Sequence, residues 1–213
     1  NNVSNPPKTL VSASAVNYYG IQRQGVLDEE AEPGTHFLSK VCADWEQEAN
    51  QVSNGFTRVA VPRLATVLAP EEGAFPQMKA PVTWGAGAPL GSGKQRTPWI
   101  HIIDLAKMLK LAMTEPSLTG PFNACSPEHT TNEQLMQTIA KALNKPFFLP
   151  NVPSIALKVM IGEFSDVLMT DLQLDTSRIQ RAGFTFQYQA VEDAVSALVG
   201  SSAGQNANNS QST

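Results

Sequence analysis

The residues best suited to chemistry stand near the start of the chain, in VSASAVNYYG, residues 11 to 20. Ser12 and Ser14 alternate along a run of small and branched residues, and two phenols, Tyr18 and Tyr19, follow before Gly20. At the carboxyl end of a parallel strand, where open α/β sheets place their ligands, the Ser14 hydroxyl can donate to a substrate or cofactor oxygen. A phenol beside it can exchange a proton with a substrate hydroxyl. The same side chains serve equally well as core hydrogen bonders at a strand exit. No G-x-S-x-G elbow surrounds either serine, which argues against a nucleophilic hydrolase.

The remaining reactive residues are scattered. His36, His101 and His129 form no HxxxH or HExxH pair, and Cys42 and Cys125 form no CxxC, so no metal site is expected. His101, beside Trp99 in WIHIIDL, is the histidine best placed to reach a substrate; its plainer role is to tie a loop to the helix that follows. GAGAPLGSGKQ fails as a nucleoside triphosphate loop, because Ala88 occupies the first glycine position and Gln95 follows Lys94 where Ser or Thr is needed. It reads instead as a turn-forming loop, with Lys94, Gln95 and Arg96 as candidate ligands for an anion or a hydroxyl.

Elements to position these groups are legible around them. TLVSASAV, residues 9 to 16, carries no charge and predicts a strand buried on both faces. IQRQGVLDEEAEPG is polar and ends in Pro-Gly, which predicts a loop. Thr35 is a candidate cap for a helix with Leu38, Val41, Trp45 and Ala49 on its inward stripe, ending near Ser53 to Gly55. FTRVAVPRLATVL predicts a second strand, so strand, helix and strand form a parallel crossover. Residues 69 to 98 are rich in Gly and Pro and read as a long surface segment. A helix with Leu105, Met108, Leu109 and Ala112 on one face follows, with Asp104 as its cap. GPFNACSP then predicts a strand. Thr130 and Glu133 suggest a capping box for the next helix. A final helix is expected from about 190 to 199, and the tail 200 to 213 is expected to be disordered.

Composition excludes several classes. The 213 residues are 42% hydrophobic, enough for a core. Fifteen Lys and Arg against nineteen Asp and Glu give a net charge of −4 with no basic run, which argues against nucleic acid as partner. No apolar stretch approaches the roughly 20 residues of a membrane span. Two distant cysteines predict reduced thiols and a cytoplasmic compartment, or an organelle stroma or matrix.

Six ordered blocks, SASAVNYYG, FLSKVCADWEQEA, VPRLATVL, GAPLGSGKQRTPWIHIIDL, GPFNACSPEHTTNEQL and KPFFLPNVPSIALKVMIGEFSDVLM, resemble the atypical extended short-chain dehydrogenase/reductases of the NAD(P)-dependent epimerase family. The resemblance runs over nearly all of residues 8 to 199. It implies an α/β fold: the later part of a Rossmann-type doubly wound parallel sheet, with a smaller, mostly helical substrate portion. The implied divisions are a partial Rossmann domain at 1–70, the substrate loop and remaining elements at 71–150, and a C-terminal family domain at 151–199.

The resemblance also implies NADP or NAD as cofactor, a small-molecule substrate such as a nucleotide-sugar, and a set of site residues. Ser14 matches the superfamily's active-site serine, with Tyr18 as a neighbouring phenol. Ser12, Ala13, Arg63 and Ala65 fall on the cofactor side, Ala65 replacing a common glycine; Tyr19 and Glu29 fall on the substrate side. Two departures stand out. The family's TGxxGxxG phosphate turn does not occur in this sequence, so an earlier Rossmann half is expected from a complementing segment or partner chain at an open sheet edge. In the YxxxK motif the tyrosine lowers its pKa against the lysine to pass a proton, whereas Phe37 and Val41 hold those positions here. A catalytically idle nucleotide-binding or scaffold subunit is the alternative to an oxidoreductase or epimerase.

Overall fold

The computed structural model describes residues 5–53, 55–162 and 164–209. The expected helix stop at 53 to 55 includes Asn54, which lies outside them, as does Glu163 of the block ending in SDVLM. The elements are β1 (Thr9–Val11), β2 (Ser14–Ala15), a 3-10 turn (Val16–Tyr19), β3 (Gln22–Leu27), α1 (Phe37–Asn50), β4 (Arg58–Leu64), β5 (Thr66–Leu68) and α2 (Ala74–Thr83). There follow β6 (Trp99–His101), α3 (Ile102–Thr114), β7 (Gly120–Ala124), α4 (Asn132–Ala142), α5 (Ser154–Ile161), α6 (Phe164–Leu168), β8 (Asp171–Leu174), α7 (Ser177–Arg181) and α8 (Val191–Asn209).

All named strand pairs are parallel, as the alternation of strands and helices predicts. β4 is the centre of the main sheet, with β7 on one side and β1 and β2 in line on the other. The expected single strand over 9 to 16 is therefore two short ones, broken at Ser12 and Ala13, although the Ser12 N–H still donates to the Ala60 carbonyl at 3.0 Å. Among the described residues β1 and β2 pair with β4 alone, so their other edge is open. Ala13 is exposed there, so burial on both faces does not hold along the whole run.

β4 is hydrophobic on both faces because both are covered. Val59 and Val61 pack on Ala49 of α1, while Ala60 joins Ile100, Met108, Phe122 and Ile179 beneath α3. A second core joins α2, α4 and α8 through Phe75, Val82, Trp99, Leu135, Ile139 and Val195. This explains why the segment 69 to 98 is not all loop. Phe75 and Val82 are fully buried seven residues apart on one face of α2, and Pro76 falls in its first turn, where no amide is needed.

Other expectations shift for definite reasons. The polar stretch after Gly20 forms β3, paired with β8 and anchored by Leu27, while its mostly exposed face accounts for the polar composition. α1 turns its Ser39, Cys42, Glu46 and Ala49 face inward, leaving Leu38 41% and Trp45 58% exposed. The apolar stripe is thus rotated outward by about one residue, or roughly 100°. The capping box belongs to Thr131 and Gln134, because the Thr130 hydroxyl is taken by the Trp99 indole N–H at 2.9 Å. His101 caps α3 in place of Asp104, whose carboxylate accepts from Gln187 and Tyr188 amides at 3.0 and 2.8 Å. α8 continues to Asn209, so the part of the expected disordered tail before residue 210 is helical; extending an existing helix is far easier than nucleating one. Residues 210–213 lie outside the described residues.

Candidate functional site

Parallel strands β2, β4 and β7 end on the same edge of the sheet, and their register sets Ser14 opposite Arg63 and Arg63 opposite Asn123. Arg63, 2% exposed, is the hub of this edge. Its Nε and Nη2 donate to the two carboxylate oxygens of Glu46 on α1 at 2.9 and 2.8 Å, a bidentate pair. Its Nη1 donates to the Tyr19 hydroxyl at 2.9 Å and to the Glu29 carbonyl at 3.1 Å. The guanidinium carbon sits 3.5 Å above the Tyr18 ring. A buried cation is tolerated only when so fully partnered.

Tyr19 passes its own hydrogen to Asn123 Oδ1 at 2.6 Å. Burial raises this phenol to about 12, against the lowering effect of Arg63, so it holds its proton. Glu29 is also buried, its carboxylate accepting the Asn123 amide at 2.9 Å, and burial pushes its carboxyl upward. Tyr19, Arg63 and Glu29 are therefore gathered into one cluster, but as the clasp joining β3, α1, β4 and β7. The Tyr19 phenol spends its only hydrogen on Asn123, and four of the five guanidinium N–H groups of Arg63 are engaged within the clasp.

The other site expectations are placed as follows. Ser14 is 4% exposed behind α1, its hydroxyl facing the Cys42 thiol without closing a well-aligned hydrogen bond. Burial raises the Cys42 thiol. Tyr18 is half-buried, edge-on to Tyr19 and under Arg63. Ala65 is buried against Val16, Tyr19 and Leu27, which leaves Ser12 and Ala13, at the strand break, as the accessible part of the expected cofactor side. Gln95 is 5% exposed and folds its own loop, donating to the Leu90 carbonyl at 2.8 Å and accepting from Ser92. Arg96 is fastened to Asp171 at 2.7 Å and to Gln173 at 2.9 Å. Lys94 is exposed. His101 accepts the Ile103 amide at 3.1 Å and stacks on Tyr188 at 3.9 Å. Gln95 folds its own loop, Arg96 fastens that loop to β8 and His101 caps α3, while Lys94 is exposed; Arg96 also lines a small pocket with Thr97, His129 and Leu172.

Burial keeps the His101 imidazole below its usual value, which suits an Nδ1 that must accept a hydrogen bond. The folded pKa lies under the unfolded one, so the unfolded chain binds more protons between them. This contribution to stability is complete above about pH 6.5 and declines as pH falls through the window. Burial and Arg96 lower His129 likewise. Thermal unfolding followed by circular dichroism should show a melting temperature that drops from pH 8 to pH 5, with a shallower drop in His101→Asn, which keeps a capping side chain. An equal slope in the variant would contradict this assignment.

The cleft itself opens where α1 begins. Gly34 lies so close to Gly20 that a Cβ on it would sit 2.6 Å from the Gly20 Cα. Its amide donates to the Tyr18 carbonyl at 2.7 Å, and Ser39 Oγ donates to the Asn17 carbonyl at 2.7 Å. These contacts pin the start of α1 on the 3-10 turn and leave a gap toward α6. A chamber of 270 Å³ there is lined by Ile21, Phe37, Leu38 and Val167, with Asn17, His36 and Asp166. A second, of 300 Å³, shares Gly20, Ile21, His36 and Asp166 with it and adds Gln22, Arg23 and Thr35. His36 has the N-cap backbone of α1 without a side-chain cap bond, which frees its imidazole for the cleft. His36, Arg23 and Asp166 escaped the sequence reading; a histidine directly before the Phe37 position was the available signal for the first. Phe37 lines the cleft at the tyrosine position, and Val41 is half-buried on the outer flank of the helix.

Residues 3–144 match the model of the NAD dependent epimerase/dehydratase family, and residues 152–198 match a domain of unknown function, DUF1731. The chain belongs to the NAD dependent epimerase/dehydratase family. It is 38% identical over 193 residues to the chloroplastic SDR39U1 homolog of Arabidopsis thaliana, an epimerase family protein, covering 91% of this chain and 55% of that one. The chain thus spans little more than half the length of this relative. Its fold is similar to the crystal structure of human epimerase family protein SDR39U1 with NADPH, at a TM-score of 0.87 and 28% identity over 93% of this chain and 67% of that one. A UDP-N-acetylglucosamine 4-epimerase from Methanobrevibacter ruminantium shares the fold at TM-score 0.74 and 17% identity, covering 93% and 64%. Among the described residues no helix is long and apolar enough to cross a membrane, and no group of three metal-ligating side chains occurs.

Proposed function

We propose that this chain is the substrate-side part of an NAD(P)-linked epimerase or oxidoreductase acting on a small molecule, with the α1–α6 cleft as the place where that molecule reacts. The observation that carries the reading is the cleft at the carboxyl edge of a parallel sheet, where open α/β folds bind ligands, in a chain of this family whose fold follows that of an NADPH-bound protein. A nicotinamide, when bound, supplies or takes a hydride. The residues present suit only one end of the dinucleotide: exposed Ala13 stands at the open edge beside Ser12, whose N–H is already held by the Ala60 carbonyl, while the sequence holds no Gly-rich phosphate turn. A complementing segment would supply the pyrophosphate contacts by pairing along β1 and β2, whose far edge is open among the described residues. Within the chain, the Arg63 clasp holds the 3-10 turn against α1, and Gly34 fixes the mouth of the cleft.

The idle scaffold reading draws support from Phe37 and Val41, neither of which transfers a proton. Hydride exchange separates the two: isotope passing from labelled NADPH into a metabolite pool supports the enzyme, and its absence supports the scaffold. Cofactor binding is tested first by NADPH fluorescence with the chain alone and with the chain coexpressed beside the N-terminal remainder of the Arabidopsis relative. Enhancement only in the complemented pair is expected. No binding by the pair would remove the nicotinamide reading.

A further inference from the structure

The two chambers of the cleft differ in chemistry, and the difference specifies a class of ligand. In the first, Ile21, Phe37, Leu38 and Val167 present apolar side chains around most of the space. A sugar ring placed there would lose water from its hydroxyls and find only Asn17, His36 and Asp166 as polar side-chain partners, since Ser39 already donates to Asn17's carbonyl. An apolar ring gains from the same surfaces. In the second chamber Arg23 is half-buried, with Nη1 held by the Glu32 carbonyl at 3.0 Å and the Tyr19 carbonyl at 3.4 Å. No carboxylate among the described residues lies within ion-pairing distance of it. The guanidinium is thus fixed in place while its charge is left without a partner, a preset contact for an anion. Asp166 and His36 stand between the chambers and line both. Asp166 disfavours an anion at this waist, which places the anionic group at the Arg23 end.

We infer that the cleft selects a small amphipathic anion, an apolar ring carrying a phosphate or carboxylate, over a phosphorylated sugar. The inference rests on the cleft being the substrate site, and it narrows that reading from small molecules in general to one class. Both chambers, at 270 and 300 Å³, lie at the small end of ligand pockets, about 300–1,000 Å³, in keeping with one ring and one anionic group.

The test is a set of amide chemical-shift titrations of the full chain with phenyl phosphate, glucose 1-phosphate and inorganic phosphate, each to millimolar concentrations. Phenyl phosphate should move Gly20, Ile21, Gly34 and Val167 and bind about tenfold tighter than either other probe, the factor set by burying one ring. Arg23→Gln should weaken it about tenfold through the lost charge-assisted contact. Because Arg23 also braces two carbonyls, Phe37→Ser serves as the second variant. Phe37 is 76% exposed, so the fold tolerates its loss; phenyl phosphate should then fall to the level of glucose 1-phosphate while inorganic phosphate is unchanged. Equal or tighter binding of glucose 1-phosphate, or no shifts at the cleft with any probe, overturns the inference. The NADPH titration does not depend on either result, so the failure of this proposal and that of the nicotinamide reading remain distinct.

Discussion

Arg63→Met should lower the unfolding free energy by about 3–5 kcal/mol, the range seen when one partner of a buried ion pair is removed. The loss is large because Glu46, 7% exposed, is left buried without either hydrogen bond. Tyr19 and the Glu29 carbonyl lose a donor at the same time, and the Tyr18 ring loses the cation above it. Urea denaturation of the single variant and of Arg63→Met with Glu46→Met separates these effects. The double variant should regain about 2 kcal/mol, because no uncompensated carboxylate is left behind. It should not return to the parent, since the tyrosine and carbonyl contacts stay broken. Equal stability of parent and single variant would show that the clasp does not hold the sheet edge together.

Gly34→Ala is expected to cost about 1–3 kcal/mol, the usual penalty for forcing atoms into a filled space. The added Cβ meets Gly20 Cα at 2.6 Å and Gly20 N at 2.7 Å, and backbone cannot swing aside as a flexible side chain would. Relief requires moving the start of α1 off the 3-10 turn, which breaks the Gly34 to Tyr18 bond and displaces His36 and Phe37 from the cleft. Melting temperature should drop, and amide shifts should change at Asn17, Gly20 and Ser39 while those of the α4 and α8 core stay in place. Gly25→Ala supplies a control: its φ of +80° carries backbone strain, but nothing lies within 4 Å of the new atom. Its shift changes should remain local to β3.

Fold class was readable in the chain because it rests on signals that tertiary structure seldom reverses. Largely apolar runs flanking an amphipathic segment point to the parallel crossover, and six ordered blocks to the family. What escaped depended on partners remote in sequence. β3 looks like a loop because five of its six residues are exposed or half-buried, and its pairing partner β8 lies nearly 150 residues later. α1 carries a better apolar stripe outside than in, and only the need of Arg63 for Glu46 explains which face turns inward. Thr130 and Thr131 are equivalent caps until the Trp99 indole claims the first. The site divides in the same way. The resemblance set Arg63 on the cofactor side and Tyr19 and Glu29 on the substrate side, whereas their shared place in one buried clasp follows from burial. Gln95 and His101 are drawn into nearby hydrogen bonds, and Arg96 into a pair with Asp171 far along the chain, engagements that residue type alone does not announce. Asp166 reaches the cleft from a helix more than a hundred residues beyond the 3-10 turn, a juxtaposition that no local motif records.

An amide hydrogen-exchange map of the chain joined by the complementing segment proposed above, taken with and without NADPH, tests the nicotinamide reading most directly. Added protection is predicted at Thr9 to Ala15, from strand pairing and the nicotinamide end, with further slowing at Gly20 and Ile21 beside the cleft. Protection confined to other surfaces, such as the groove of Lys141, Lys145 and Phe147, with the Thr9 to Ala15 amides exchanging as freely as before, would contradict it.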